Sequence, residues 1–138
     1  MDEYNWCRFK NIKVFPPPFH ASVICKRNTD LSIDGHPERR NKYSIDQFNG
    51  ARWGREGAGE YVEWASIPRV QMMKSSDAIH IKYIEAPLVI CTTIPRYWGC
   101  HLGRVLNKHF EWQIYSEFIN DWISIRHSHI GGWLPLPK

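Results

Sequence analysis

Residues 102–123 read LGRVLNKHFEWQIYSEFINDWI, and this stretch decides the predicted fold. Its apolar residues recur at steps of three and four: Leu102, Val105, Leu106, Phe110, Ile114, Phe118 and Trp122. Tyr115, Ile119 and Ile123 widen the same stripe. Because this spacing is typical of one face of an α-helix, the sequence predicts a C-terminal amphipathic helical segment. The segment is either one helix or two helices with a break near residues 109–112.

The residues that precede this stretch have the periodicity of β-strands. Residues 79–84 read IHIKYI, which alternates apolar and polar side chains as a half-buried strand does. Residues 88–94 read LVICTTI, a nearly continuous apolar run that suits a central strand buried on both faces. Further strands are predicted over residues 8–15, 20–25 and 60–70, with Pro68 ending the last of them. The predicted class is α+β, with an antiparallel sheet of about four to five strands and a C-terminal helical segment packed on one face.

Length and composition indicate one globular domain over residues 1–138. The chain has 138 residues, a formal net charge of +4 and 43% apolar residues, which excludes a disordered, collagen-like or coiled-coil protein. No window reaches the ~20 apolar residues that a transmembrane helix needs. No secretory signal is visible, so we expect a cytoplasmic, intracellular protein, with association with a virion as an alternative. In that setting the four cysteines are expected to be reduced and buried.

Aromatic residues are unusually frequent, at 7 Trp, 6 Tyr and 6 Phe. Some of these rings lie in or beside predicted loops, where exposed aromatic side chains usually mark a contact surface. The leading hypothesis is therefore a non-enzymatic binding or assembly protein, such as a viral or accessory subunit. It would bind a protein partner, or form a homo-oligomer, through Trp98, Trp133 and Leu134. The apolar tail that begins at Trp133 is expected to pack on its own domain or on a partner.

A basic and aromatic cluster supports a second hypothesis, a nucleic-acid or nucleotide-binding protein. Guanidinium and indole groups that lie close together can bind phosphate and stack on a base. Residues 1–56 hold 10 Lys and Arg against 7 Asp and Glu, so the basic excess is small. The candidate phosphate-binding or base-stacking residues are Arg39, Arg40, Lys42, Arg52, Trp53 and Arg55.

The histidines support a third hypothesis, a small metal-independent phosphodiesterase or RNase that uses His20, His80 or His127. The sequence has no nucleophile elbow, phosphate-binding loop or paired-carboxylate motif, so an enzyme is the less favoured interpretation and no catalytic residue is assigned. Cys91, Cys100, His101 and His109 do not have the spacing of a zinc site. No metal and no cofactor is predicted.

Overall fold

A computed structural model describes residues 4–27, 42–54, 61–68, 72, 83–116, 119 and 121–137. The chain divides into two compact units, one formed by Asn5–Ile67 and the other by Pro68–Lys138 together with Met1–Tyr4. The described residues form one antiparallel sheet in each unit.

The sheet of the Asn5–Ile67 unit has four strands, in the order β1-β4-β2-β3. The central strand β2 is buried on both faces, since Val23, Ile24 and Cys25 all lie away from solvent. The predicted strand over residues 8–15 is reduced to two residues, whereas the strand predicted over 60–70 ends before Pro68 as expected. The strand bounds are β1 (Lys10–Asn11), β2 (Ser22–Arg27), β3 (Tyr43–Gln47) and β4 (Tyr61–Ser66).

One face of this sheet carries a buried polar network. Arg27 is only 5% exposed, and its Nη1 donates hydrogen bonds to the Ser44 hydroxyl and to the Tyr43 carbonyl oxygen, the latter at 3.3 Å. The guanidinium carbon lies 5.0 Å from the centre of the Tyr61 ring. The Tyr61 hydroxyl donates to Asp46 Oδ2 at 3.2 Å. Buried charged groups need such partners, because an unpaired one would lose its hydration without compensation.

The sheet of the second unit has five strands, in the order β8-β7-β6-β5-β9. The predicted C-terminal helix is therefore wrong, and so is the α+β class. The stretch 102–123 forms most of β6 and all of β7, and it ends within β8; no α-helix occurs among the residues that the structure describes. The strand bounds are β5 (Leu88–Thr92), β6 (Gly99–Leu106), β7 (Glu111–Ser116), β8 (Asp121–Ile125) and β9 (Ile130–Pro135).

The prediction of a helix failed because of the turn between β6 and β7. Residues 107–110 reverse the chain without glycine or proline, and His109 and Phe110 adopt left-handed backbone angles with φ of 62° and 49°. Such angles are uncommon outside glycine, asparagine and aspartate, so the sequence gives no ordinary turn signal here. The strand predicted over 88–94 is confirmed in part: β5 covers Leu88–Thr92 and is paired on both edges, whereas residues 93 and 94 lie in the loop that follows. Of the strand predicted over 79–84, only Tyr83 and Ile84 lie among the described residues, and neither is in a strand.

The five-stranded sheet is strongly coiled. Strands β8 and β9 lie at its opposite edges, which in a flat sheet would be about 19 Å apart, at ~4.8 Å per strand. Yet the chain passes from Ile125 to Ile130 in five residue steps, which reach at most about 18 Å when fully extended. Part of this connection is a 3-10 turn, His127–His129, which shortens it further. The coiling also explains why the Trp112 ring of β7 lies 6.1 Å from the Trp133 ring of β9.

Side chains from all five strands fill the concave face of the coiled sheet. Leu88, Ile90, Val105 and Ile114 are inaccessible to solvent there. Two tryptophans, a tyrosine and two further isoleucines complete this core, namely Tyr83, Trp112, Ile125, Ile130 and Trp133. The apolar tail thus packs on its own unit, as strand β9.

Candidate docking site around Trp98

Trp98 lies in the loop that joins β5 to β6, directly after the 3-10 turn Pro95–Tyr97. The Tyr97 carbonyl oxygen accepts two hydrogen bonds, from the Thr92 hydroxyl and from His101 Nε2, the second at 2.8 Å. The Tyr97 amide donates to the Ile94 carbonyl oxygen at 3.0 Å, and both of these side chains pack against the core. The loop therefore has a fixed conformation, and its Trp98 side chain is 67% exposed.

A cavity of about 180 Å³ lies beside Trp98. Small residues from β5, β9 and the loop form most of its wall and leave room for an apolar side chain of a ligand. Gly99, which has a φ of +106°, turns the chain from the exposed loop back into β6, a backbone angle that favours glycine. The lining residues are Met72, Cys91, Thr92, Thr93, Trp98, Gly99 and Gly131.

Two chain segments next to this cavity carry basic residues. The Thr93 amide donates to the His129 carbonyl oxygen at 2.8 Å, which holds the connection between β8 and β9 beside the Trp98 loop. Residues 93–98 and 126–129 contain two arginines and two histidines and no aspartate or glutamate. Arg96 and Arg126 are exposed. The site therefore combines an exposed tryptophan and a cavity with neighbouring segments that are basic in composition.

The other two predicted partner-binding residues, Trp133 and Leu134, are placed inside the second unit. Both belong to β9 and each is 4% exposed. Trp133 packs edge-on against Tyr83, with the ring centres 5.3 Å apart. Trp133 belongs to the core of the coiled sheet and Leu134 is buried as well, so of the three predicted anchors only Trp98 is accessible.

Three of the six predicted phosphate-binding or base-stacking residues lie within the described part of the chain. Arg39, Arg40 and Arg55 lie outside the described residues. Lys42 is half-buried with its ammonium 5.6 Å from the centre of the Tyr43 ring, and Arg52 is exposed. Trp53 is half-buried in a row of aromatic rings, 5.2 Å from Phe48 and 5.0 Å from Tyr61. Because these neighbours contact its ring, Trp53 does not project as a free stacking platform.

The structure also locates the histidines and cysteines of the other hypotheses. His20 and His127 are exposed, and His127 packs edge-on against Trp112 at 5.8 Å, whereas His80 lies outside the described residues. Within the described part of the chain, no group of three His, Cys, Asp or Glu residues could hold a metal ion. Cys91 and Cys100 form a disulfide, so the expectation of four reduced cysteines is wrong for this pair. Cys7 and Cys25 are buried thiols.

A second exposed apolar segment lies in the Asn5–Ile67 unit. Val14, Phe15 and Phe19 are exposed, while Pro17 between them is buried. The Trp64 indole N–H donates to the Phe15 carbonyl oxygen at 2.6 Å, which fixes this segment to β4. The segment contains three consecutive prolines, residues 16–18, which the sequence allows to be read as a short polyproline segment for a partner but which favour a stiff connection between two strands.

No family model, curated protein or solved structure matches the chain. Among the described residues, no helix is long and apolar enough to cross a membrane. The described residues thus define a nearly all-β protein of two compact units with an exposed aromatic site.

Proposed function

We propose that this chain is a non-enzymatic binding protein that docks on a protein partner, with Trp98 as its anchor. The observation that carries the proposal concerns the seven tryptophans, all of which lie among the described residues. Six have buried or half-buried side chains, whereas Trp98 is mostly exposed on a loop of fixed conformation.

The energy available from covering Trp98 supports an anchoring role. A tryptophan side chain presents up to ~250 Å² of surface, and two thirds of that area at ~25 cal/mol/Å² gives about 4 kcal/mol on burial. Hydrogen bonds to the Tyr97 carbonyl oxygen already hold the loop, so little conformational entropy is lost on binding. Tryptophans with these properties are frequent among the residues that dominate binding energy at protein interfaces.

The surroundings of Trp98 indicate the chemistry of the partner. The cavity accepts an apolar side chain, and the exposed Arg96 and Arg126 favour carboxylates on the approaching surface. A second copy of this chain is an alternative partner, because self-association would also cover Trp98.

The proposal is tested by comparing Trp98→Ala with Phe110→Ala, a matched control. Phe110 is 54% exposed and lies in a different loop of the same sheet. Proteins bound by the immobilised wild-type chain from its source cells are quantified by mass spectrometry, and self-association is measured by light scattering after size-exclusion chromatography. Loss of an anchor worth about 2–4 kcal/mol weakens binding roughly 30-fold to 1,000-fold.

We expect Trp98→Ala to lose a bound protein, or the oligomer, that Phe110→Ala retains. Equal binding by the wild type and both variants, together with a monomeric wild-type chain at high concentration, would contradict the proposal. Circular dichroism of each variant establishes that the sheet structure is unchanged.

A further inference from the structure

We infer that the Cys91–Cys100 disulfide is a redox-active site that exchanges with low-molecular-weight thiols while the protein remains folded. The two cysteines lie directly opposite each other in β5 and β6, and both are half-buried. Cys91 lines the cavity beside Trp98. This inference concerns the sulfur chemistry of the cavity and does not depend on a partner docking there.

The cavity gives a small thiol access to the disulfide. Thr92, Thr93, Gly99 and Gly131, which share the cavity wall with Cys91, have short side chains or none. Both cysteines are partly exposed, and a disulfide that solvent reaches can be attacked, whereas the buried thiols of Cys7 and Cys25 are shielded. Of the two bonded cysteines, Cys91 is the one that lines the cavity, so its Sγ is the expected point of attack.

The hairpin does not need the disulfide to stay folded. Strands β5 and β6 are paired from Leu88 opposite Gly103 to Thr92 opposite Gly99, on both sides of the cysteine pair. The other edge of β5 is paired with β9. The hydrogen bonds to the Tyr97 carbonyl oxygen hold the intervening loop independently of the sulfur atoms. Reduction therefore removes a covalent link between residues that the sheet already places side by side.

The exchange proceeds in two displacement steps. A thiolate attacks Cys91 Sγ, a new sulfur–sulfur bond forms to Cys91, and the Cys91–Cys100 bond breaks. Its electron pair leaves on Cys100 Sγ, which takes a proton from water. A second thiolate then attacks the small-molecule sulfur of this mixed disulfide and releases the Cys91 thiolate. The net reaction transfers two electrons from two small thiols to the Cys91–Cys100 disulfide. The two small thiols are released joined to each other as a disulfide.

The test is titration of the native protein with reduced and oxidised glutathione. Free thiols are trapped with a maleimide and counted by mass spectrometry, while far-UV circular dichroism follows the fold. We expect two thiols to appear at positions 91 and 100 without a change in the spectrum, and to disappear again on oxidation. Cys7 and Cys25 should react only in denaturant.

Two single variants identify the attacked sulfur. In Cys100→Ser, the remaining Cys91 thiol should take up one glutathionyl group from oxidised glutathione at least about tenfold faster than Cys100 does in Cys91→Ser. A disulfide that survives until urea unfolds the protein would overturn the inference. So would a loss of the sheet spectrum on reduction, or misfolding of the Cys91→Ser/Cys100→Ser double variant, since either shows that the bond is structural.

Discussion

Gly103 of β6 is the glycine at which adding a Cβ atom should lower the stability of the fold most. A Cβ atom there would lie 2.2 Å from Ile90 Cδ1 and 2.6 Å from Ile90 Cγ1. It would also lie 3.1 Å from the Gln113 carbonyl oxygen, which belongs to the paired strand β7. Ile90 is fully buried in the core of the coiled sheet, so it has little room to move away.

From these distances we expect Gly103→Ala to lower the free energy of unfolding by about 2–3 kcal/mol. Overpacking a core costs typically 1–3 kcal/mol, and two contacts below 3.0 Å with an enclosed side chain place this variant near the upper end. The smaller entropy of the unfolded alanine chain offsets about 0.4–1 kcal/mol of that cost. Urea unfolding followed by tryptophan fluorescence measures the change. An unaltered m value would show that the variant exposes as much surface on unfolding as the wild type does.

Gly131→Ala is the matched control, because its added Cβ would meet Thr93 Cγ2 at 3.4 Å and the Cys91 carbonyl oxygen at 3.6 Å, which are ordinary contacts. It should be as stable as the wild type to within about 1 kcal/mol. Ile90→Val removes the closest clashing atom at a cost of about 1 kcal/mol. Combined with Gly103→Ala, it should be less destabilising than the sum of the two changes by about 1.5 kcal/mol. Additive effects, or a Gly103→Ala variant as stable as Gly131→Ala, would refute the reasoning.

Two further changes test other parts of the fold by the same urea measurement. Tyr61→Phe removes the buried hydroxyl that donates to Asp46. It should lower the free energy of unfolding by about 1.5–3 kcal/mol, because the acceptor is a charged group. An unchanged stability would contradict the buried network. Phe110→Gly replaces an exposed residue with a φ of 49° by one that adopts this angle freely, and it should raise stability by about 0.5–1 kcal/mol. A destabilised variant would show that the Phe110 ring contributes more than its backbone angle costs.

The sequence predicted β2 and β5 as strands because burial on both faces leaves a plain apolar run. For residues 102–123, however, burial on both faces led to a wrong prediction. In β7, Trp112, Ile114, Tyr115 and Ser116 are all buried, so the two-residue alternation of a half-exposed strand is lost. The four-residue step between Leu102 and Leu106, just before β7, then resembles the spacing of a helix. The β-branched and aromatic residues of this stretch were the signal that favoured strands, and they were outweighed by the apparent period.

Strands β3 and β9 were missed for opposite reasons. In β3, Tyr43 and Ile45 alternate with Ser44 and Asp46, a two-residue alternation that indicates a strand but spans only five residues. Strand β9 reads IGGWLP, in which two glycines and a proline argue against a strand. Pairing with β5 overrides those local preferences, because Trp133 and Leu134 are buried when β9 pairs with β5.

Of the candidate docking site, the sequence predicted the loop position of Trp98 but not what surrounds it. Trp98 lies between Pro95 and Gly99, and these turn-forming neighbours placed it in a loop. The cavity depends on the pairing of β5 with both β6 and β9, which no local pattern reveals. The disulfide depends on the same register, since Cys91 and Cys100 become neighbours only when the loop between them is recognised as a hairpin.

The aromatic excess itself turns out to be a weak argument for binding. Several of the large rings are used by the two cores: Trp64 and Tyr61 in one unit, Trp112 and Trp133 in the other. A small unit with a coiled sheet has a narrow concave core, which a few indole rings fill efficiently. The argument for docking therefore depends on the position of one ring and not on the number of rings. Trp98 is 67% exposed on a loop that two hydrogen bonds to the neighbouring Tyr97 carbonyl oxygen hold in place.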